Sequence, residues 1–101
     1  MLTEKDYCDY ETCVALYELG YDCQVIHLIA EKITLYEAQK WLREEKQIEV
    51  NATYDNIVEL HWHWYMKPLT NRNQIISNTN HDSYEQALLA GIKEAVKILK
   101  E

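Results

Sequence analysis

The chain has 101 residues, 48 % of them hydrophobic, a size that fits one domain able to bury about 60–70 % of its unfolded surface. Seventeen acidic against ten basic residues give a formal charge of −7 spread along the chain, a surface that repels phosphate and argues against nucleic-acid and anionic-membrane roles. Three cysteines without a CxxC pair argue against an oxidised secreted scaffold, and neither a signal peptide nor a run of roughly 18 apolar residues is present, so a cytoplasmic protein is expected.

The first predicted helix covers residues 5–19, with Thr3 or Asp6 as its cap and Gly20 as its stop. Tyr7, Tyr10, Val14, Tyr17 and Tyr21 recur at three- and four-residue steps, and this stripe is expected to face the rest of the domain. Cys13 and Leu16 flank it, Cys8 borders its charged side, and the cysteines read as small buried hydrophobes. Gln24 to Ile29 reads equally as a short strand or a buried connector. The second helix has a sharper start. Thr34 followed three residues later by Glu37 is a capping box, and Leu35, Ala38, Trp41 and Leu42 form its inward stripe.

Residues 48–54 alternate apolar and polar, Asp55-Asn56 suits a tight two-residue turn, and residues 48–67 read as one antiparallel hairpin. In its second strand, Val58, Leu60, Trp62, Trp64 and Met66 line one face while His61, His63 and Tyr65 line the other. Pro68 ends the strand's capacity to donate ladder bonds. Residues 74–77 add a short third strand, and residues 69–82, rich in Asn, Thr and Ser, suit a binding loop. The last helix opens at Asp82 or Ser83, where Ser83 and Gln86 match a second capping box. Tyr84, Leu88, Ile92, Ala95 and Leu99 keep helical spacing, and Ala87, Gly91, Val96 and Ile98 widen the stripe. Gly91 costs about 1 kcal/mol against Ala inside a helix, so its smallness points to a close approach by the sheet, a partner helix or a second subunit. Lys93, Lys97 and Lys100 complement the helix dipole.

The expected fold is therefore a small single α+β domain spanning 1–101: two N-terminal helices, an antiparallel hairpin extended to three strands, and a long C-terminal helix packed on the sheet. Trp41, Leu42, Val50, Leu60, Trp62, Trp64, Leu88, Ile92 and Val96 are its expected core. Removing a core indole, as in Trp62→Ala, is expected to cost about 3–5 kcal/mol.

His61 and His63 have the spacing with which strand-borne imidazoles share Zn²⁺. A closed site needs two further ligands, which Glu59, His81, Cys8, Cys13, His27 or Asp82 supply only where the fold brings them close. No HExxH is present, and no glycine-rich loop or Gly-x-Ser-x-Gly turn points to nucleotide or acyl chemistry. Cys8 has acidic neighbours that disfavour a thiolate, and the final helix opens on acids where a nucleic-acid module would place bases. The sequence thus reads as a non-enzyme, with no catalytic residues and no cofactor.

Two helical segments carry a resemblance: Glu37-Ala38-Gln39-Lys40-Trp41-Leu42-Arg43-Glu44-Glu45-Lys46, within residues 34–50, and Tyr84-Glu85-Gln86-Ala87-Leu88-Leu89-Ala90-Gly91-Ile92-Lys93-Glu94-Ala95. The pattern resembles small uncharacterised prophage and mobile-element proteins of gut Bacteroidales, whose signature is a QKWLRE helix, an aromatic hairpin and a SYEEALEAGIKEAL helix. The resemblance covers most of the chain and implies a phage or mobile-element setting and a small α+β fold. It implies no activity, and the His61/His63 pair lies outside its signature. The functional expectation is a non-enzymatic protein-interaction or accessory module that binds a protein partner or self-associates as a homodimer. Two contrasting readings are a metal-binding regulator or hydrolase using His61 and His63, and an acidic DNA-binding regulator.

Overall fold

Why the first helix starts late is decided by contacts with a distant segment. In the computed structural model, which describes residues 3–21, 33–55, 61–68, 75–76 and 81–100, Tyr7 forms an antiparallel bridge with Thr34 and the Cys8 N–H donates to the Ile33 carbonyl at 2.8 Å. Backbone committed to that bridge cannot also be helical. The expected helix over 5–19 is accordingly split into a 3-10 turn at Glu4–Asp6 and α1 at Tyr10–Glu18. Asp9 is the true cap: its side chain accepts the Thr12 N–H at 2.9 Å, satisfying one of the helix's orphan donors.

Gly20 does stop α1. At φ 107 it allows its own N–H to reach the Tyr17 carbonyl and the Tyr21 N–H to reach that of Leu16, both at 3.0 Å. This paired closure leaves the chain turning sharply back on the helix end. The buried face of α1 is Thr12, Cys13 and Leu16. Of the tyrosine stripe expected to face inward, Tyr17 and Tyr21 are partly buried against the core, whereas Tyr10 is 76 % exposed. Helical spacing locates a stripe of like residues; it does not distinguish an amphipathic Tyr that tolerates water from a Leu that does not.

Helix α2 spans Leu35–Glu45 and opens on the expected capping box. Thr34 Oγ1 accepts the Glu37 N–H at 3.0 Å, and the Glu37 carboxylate accepts from the Thr34 hydroxyl at 2.8 Å and its N–H at 3.3 Å. Leu35, Ala38 and Leu42 are buried. At the other end, Gln47 takes the left-handed conformation (φ 58) that a glycine usually fills, and its side-chain amide donates to the Glu44 carbonyl at 3.1 Å.

Strands β1 (Ile48–Asp55), β2 (His61–Pro68) and β3 (Ile75–Ile76) form an antiparallel sheet in the order β1-β2-β3. Val50 pairs with Met66, Ala52 with Trp64 and Tyr54 with Trp62. The same register pairs Asp55 with His61. Asp55 therefore belongs to the ladder and not to a two-residue turn at 55–56. Among the described strands β1 lies at the edge of the sheet, where outward backbone groups need partners. Gln39 Nε2 from α2 donates to the Val50 carbonyl at 2.7 Å, and the Asn51 side chain accepts the Ala52 N–H at 2.9 Å.

Helix α3, Tyr84–Lys100, lies across β1 and β2, α2 packs on β1 and α3, and α1 packs on α3. Ser83 Oγ accepts the Gln86 N–H at 3.2 Å as expected, although Gln86 reaches back to the N–H of Asp82 rather than of Ser83. A Cβ on Gly91 would stand 2.8 Å from Val50 Cγ1 and 3.0 Å from Trp64 Cβ. The close approach expected at Gly91 is thus made by the sheet. Leu42, Val50, Leu88, Ile92 and Val96 are buried as expected, joined by Cys8, Cys13, Leu16, Ile33, Leu35, Ala38, Ile48, Met66 and Ala95. Trp41, Trp62 and Trp64 are only partly buried, while Leu60 and Val58 lie outside the described residues. Lys100 does more than complement the dipole, because it pairs with Glu18 (2.9 Å), and Lys93, outside the last turn of α3, serves instead to pair with Asp9 (2.6 Å). No helix among the described residues is long and apolar enough to cross a membrane.

Candidate interaction site

His63 stands on β2 opposite Thr53, in the register set that alternates with Trp62, Trp64 and Met66. His61 belongs to the same set, but its side chain lies outside the described residues, as do Glu59, His27, Cys23 and most of the 69–82 segment. His81 is brought to this strand: its N–H and carbonyl exchange two 3.0 Å bonds with Trp62. Burial, and then the nearby charge of His63, push the His81 imidazole below its ordinary pKa, against the opposing pull of Asp82. Among the described residues no three His, Cys, Asp or Glu side chains gather as a metal-binding group.

Cys8 and Cys13 sit far from that strand in chain order, at the α1 side of the core, as buried free thiols. Burial first, then the charges of Cys13, Asp9 and Glu37, push the Cys8 thiol up to about 12. A thiol so placed stays protonated at neutral pH and packs as an apolar group.

Two concave regions among the described residues bear on function. One, of about 470 Å³, lies where the chain start meets the first turns of α3, over Cys8 and Leu89 and beside the exposed Tyr10. Its electrostatics are mixed, because the amino ends of α1 and α3 favour anions there while Glu4, Asp9 and Glu85 favour cations. Asp9 is also already engaged. Burial would raise its pKa, but Lys93 and the two hydrogen bonds from Thr12 outweigh burial and hold it below the usual range.

The other hollow, of about 530 Å³, is lined by Gly20, Tyr21, Glu37, Lys40, Trp41, Glu44 and Glu45. Local structure explains each part. The Gly20 turn swings Tyr21 off the end of α1, where its ring meets Trp41 edge-on at 5.6 Å and Tyr17 at 5.9 Å, and its hydroxyl donates to Glu37 at 3.4 Å. Trp41 projects from α2 one turn beyond Glu37, with Glu44 and Glu45 on the last turn. Three carboxylates face one ammonium, and the carboxyl-terminal ends of α1 and α2 add partial negative charge. Lys46 Nζ stands 5.5 Å from the Trp41 ring centroid, within cation–π range.

No protein-family model, curated protein or solved structure matches the chain. Functional reading therefore rests on the surface itself. The hollow is absent from the sequence-level candidates because Trp41 falls on the apolar stripe of α2 and reads there as core. Its signal is an indole separated by one residue from the charged run Arg43-Glu44-Glu45-Lys46 that closes α2.

Proposed function

We propose that this chain is a non-enzymatic protein-interaction module, in the phage or mobile-element setting that the resemblance of its two helical segments implies. The observation that supports this most is the Tyr21–Trp41 pair: two partly buried aromatic rings standing together in a carboxylate-rimmed hollow. Trp and Tyr dominate binding energy at protein interfaces when they lie in concave, desolvating surroundings. A partner that closes the hollow completes the burial of both rings. The test is affinity capture of the full chain from lysate of its native or phage-infected host, followed by native mass spectrometry of the eluate. A complex of fixed stoichiometry, with one other protein or with a second copy of the chain, supports the reading, whereas recovery of the chain as a monomer alone overturns it.

A second reading, a metal-binding regulator or hydrolase at His61 and His63, is favoured by one observation, the placement of His81 against the same strand. It predicts stoichiometric Zn²⁺ in untagged protein and a lower melting temperature in chelator. An unchanged melt and metal-free protein would remove it.

A further inference from the structure

The partner chemistry can be read from the hollow, in an argument that rests on the interaction-module reading above. We propose that the Tyr21–Trp41 hollow receives an arginine side chain of the protein partner.

An anionic rim alone would select nothing. Here it is combined with an aromatic wall: Glu37, Glu44 and Glu45, against the one ammonium of Lys40, share the hollow with the rings of Trp41 and Tyr21. Since Glu37 is engaged by Thr34 and Tyr21, Glu44 and Glu45 are the carboxylates left for a ligand. Independently of that rim, the Trp41 ring already holds a cation of this chain, Lys46, at 5.5 Å. Both observations select the same ligand charge. Between the two cationic side chains, arginine fits better: its planar guanidinium stacks on an indole while its edge donates to carboxylates, and it is more weakly hydrated than an ammonium. Glu44 and Glu45 are exposed and lie on the last turn of α2, free to turn toward an incoming fork of N–H donors. The formal charge of −7 steers a cationic partner segment to the surface in a salt-sensitive way.

Lys46 gives the proposal an unusual sign. A resident cation near the ring competes with an incoming one, so Lys46→Gln strengthens binding, whereas a merely structural role for Lys46 predicts no change or a loss.

The probe is N-acetyl-argininamide titrated into the full chain and followed by the Trp41 indole N–H resonance, with the neutral isostere N-acetyl-citrullinamide as control. The expected result is a saturable Trp41 shift with the arginine probe, at least about tenfold weaker for the citrulline probe. Binding should weaken about three- to fivefold in Glu44→Gln/Glu45→Gln and tighten about twofold in Lys46→Gln. Equal response to the two probes, no Trp41 shift, or unchanged or weaker binding in Lys46→Gln overturns the proposal. The two readings fail separately. A captured protein partner that binds Glu44→Gln/Glu45→Gln as well as wild type overturns the arginine assignment alone. Saturation by the arginine probe with no protein partner overturns the protein-borne arginine and the interaction module together, and leaves a site for a free cation.

Discussion

At Gly91 two residue-scale preferences oppose each other. Alanine is the better helix former by about 1 kcal/mol, yet its methyl would enter the space of Val50 Cγ1 at 2.8 Å and Trp64 Cβ at 3.0 Å. Overpacking of a filled contact costs about 1–3 kcal/mol. Gly91→Ala is therefore expected to lower the urea midpoint; a raised midpoint would mean that α3 lies farther from the sheet. Gln47 presents the reverse case. Its left-handed φ of 58 strains any residue with a Cβ, and Gln47→Gly should stabilise by about 0.5–1 kcal/mol even after losing the bond to the Glu44 carbonyl. A loss of stability would show that the amide contact outweighs the strain. The sequence made Gly91 conspicuous, because a glycine inside a good helix needs a reason, but could not say which element approached it. Nothing marked Gln47, since its conformation is imposed by the join between α2 and β1.

For elements, termini that carry their own signal were legible and those set by distant backbone were not. Thr34 with Glu37 and Ser83 with Gln86 announced two helix starts, and Gly20 announced a stop. The start of α1 instead depends on the Tyr7–Thr34 bridge, a pairing across 27 positions that no local pattern encodes. Asp9, which caps α1 and meets Lys93 of α3, links two elements and so has a pH signature. Its folded pKa is lowered, so its contribution is fully present above the unfolded value of about 3.9 and is lost as pH falls through the folded value. Asp9→Ala should cost about 1–2 kcal/mol at neutral pH, mostly from the cap because the partly exposed ion pair is screened. The gap between wild type and variant should close progressively below about pH 4. A gap independent of pH would show that the carboxylate's charge is irrelevant.

The molecule as a whole is a three-stranded sheet covered by α3, with α2 along the edge of β1 and α1 packed on α3. That α+β arrangement was readable from the hydrophobic period of the hairpin strands and the period and caps of α2 and α3, even though the start of α1 and the turn expected at residues 55–56 were not. The division between core and surface was less so, because the tryptophans are amphipathic and sit at the margins. Trp62 meets Tyr54 at 5.0 Å and Tyr84 at 5.5 Å yet is only partly buried. Trp62→Ala should cost about 1–3 kcal/mol, less than the 2–5 kcal/mol typical of truncating a fully buried leucine such as Leu88. Thermal melts of the two variants in parallel check this order. The same marginal position hid Trp41: a stripe residue in the second half of α2 reads as core from its period, and its partial exposure shows only when its neighbours are placed.

The most direct measurement is the affinity for the captured partner of three chains: wild type, Trp41→Ala and His63→Ala, each first confirmed as folded by circular dichroism. If the hollow is the interaction site, Trp41→Ala loses at least about 2 kcal/mol of binding, the scale of an interface hot spot, while His63→Ala binds as wild type does. Undiminished binding by Trp41→Ala, or loss confined to His63→Ala, would contradict the assignment and move the site to the outer strand face.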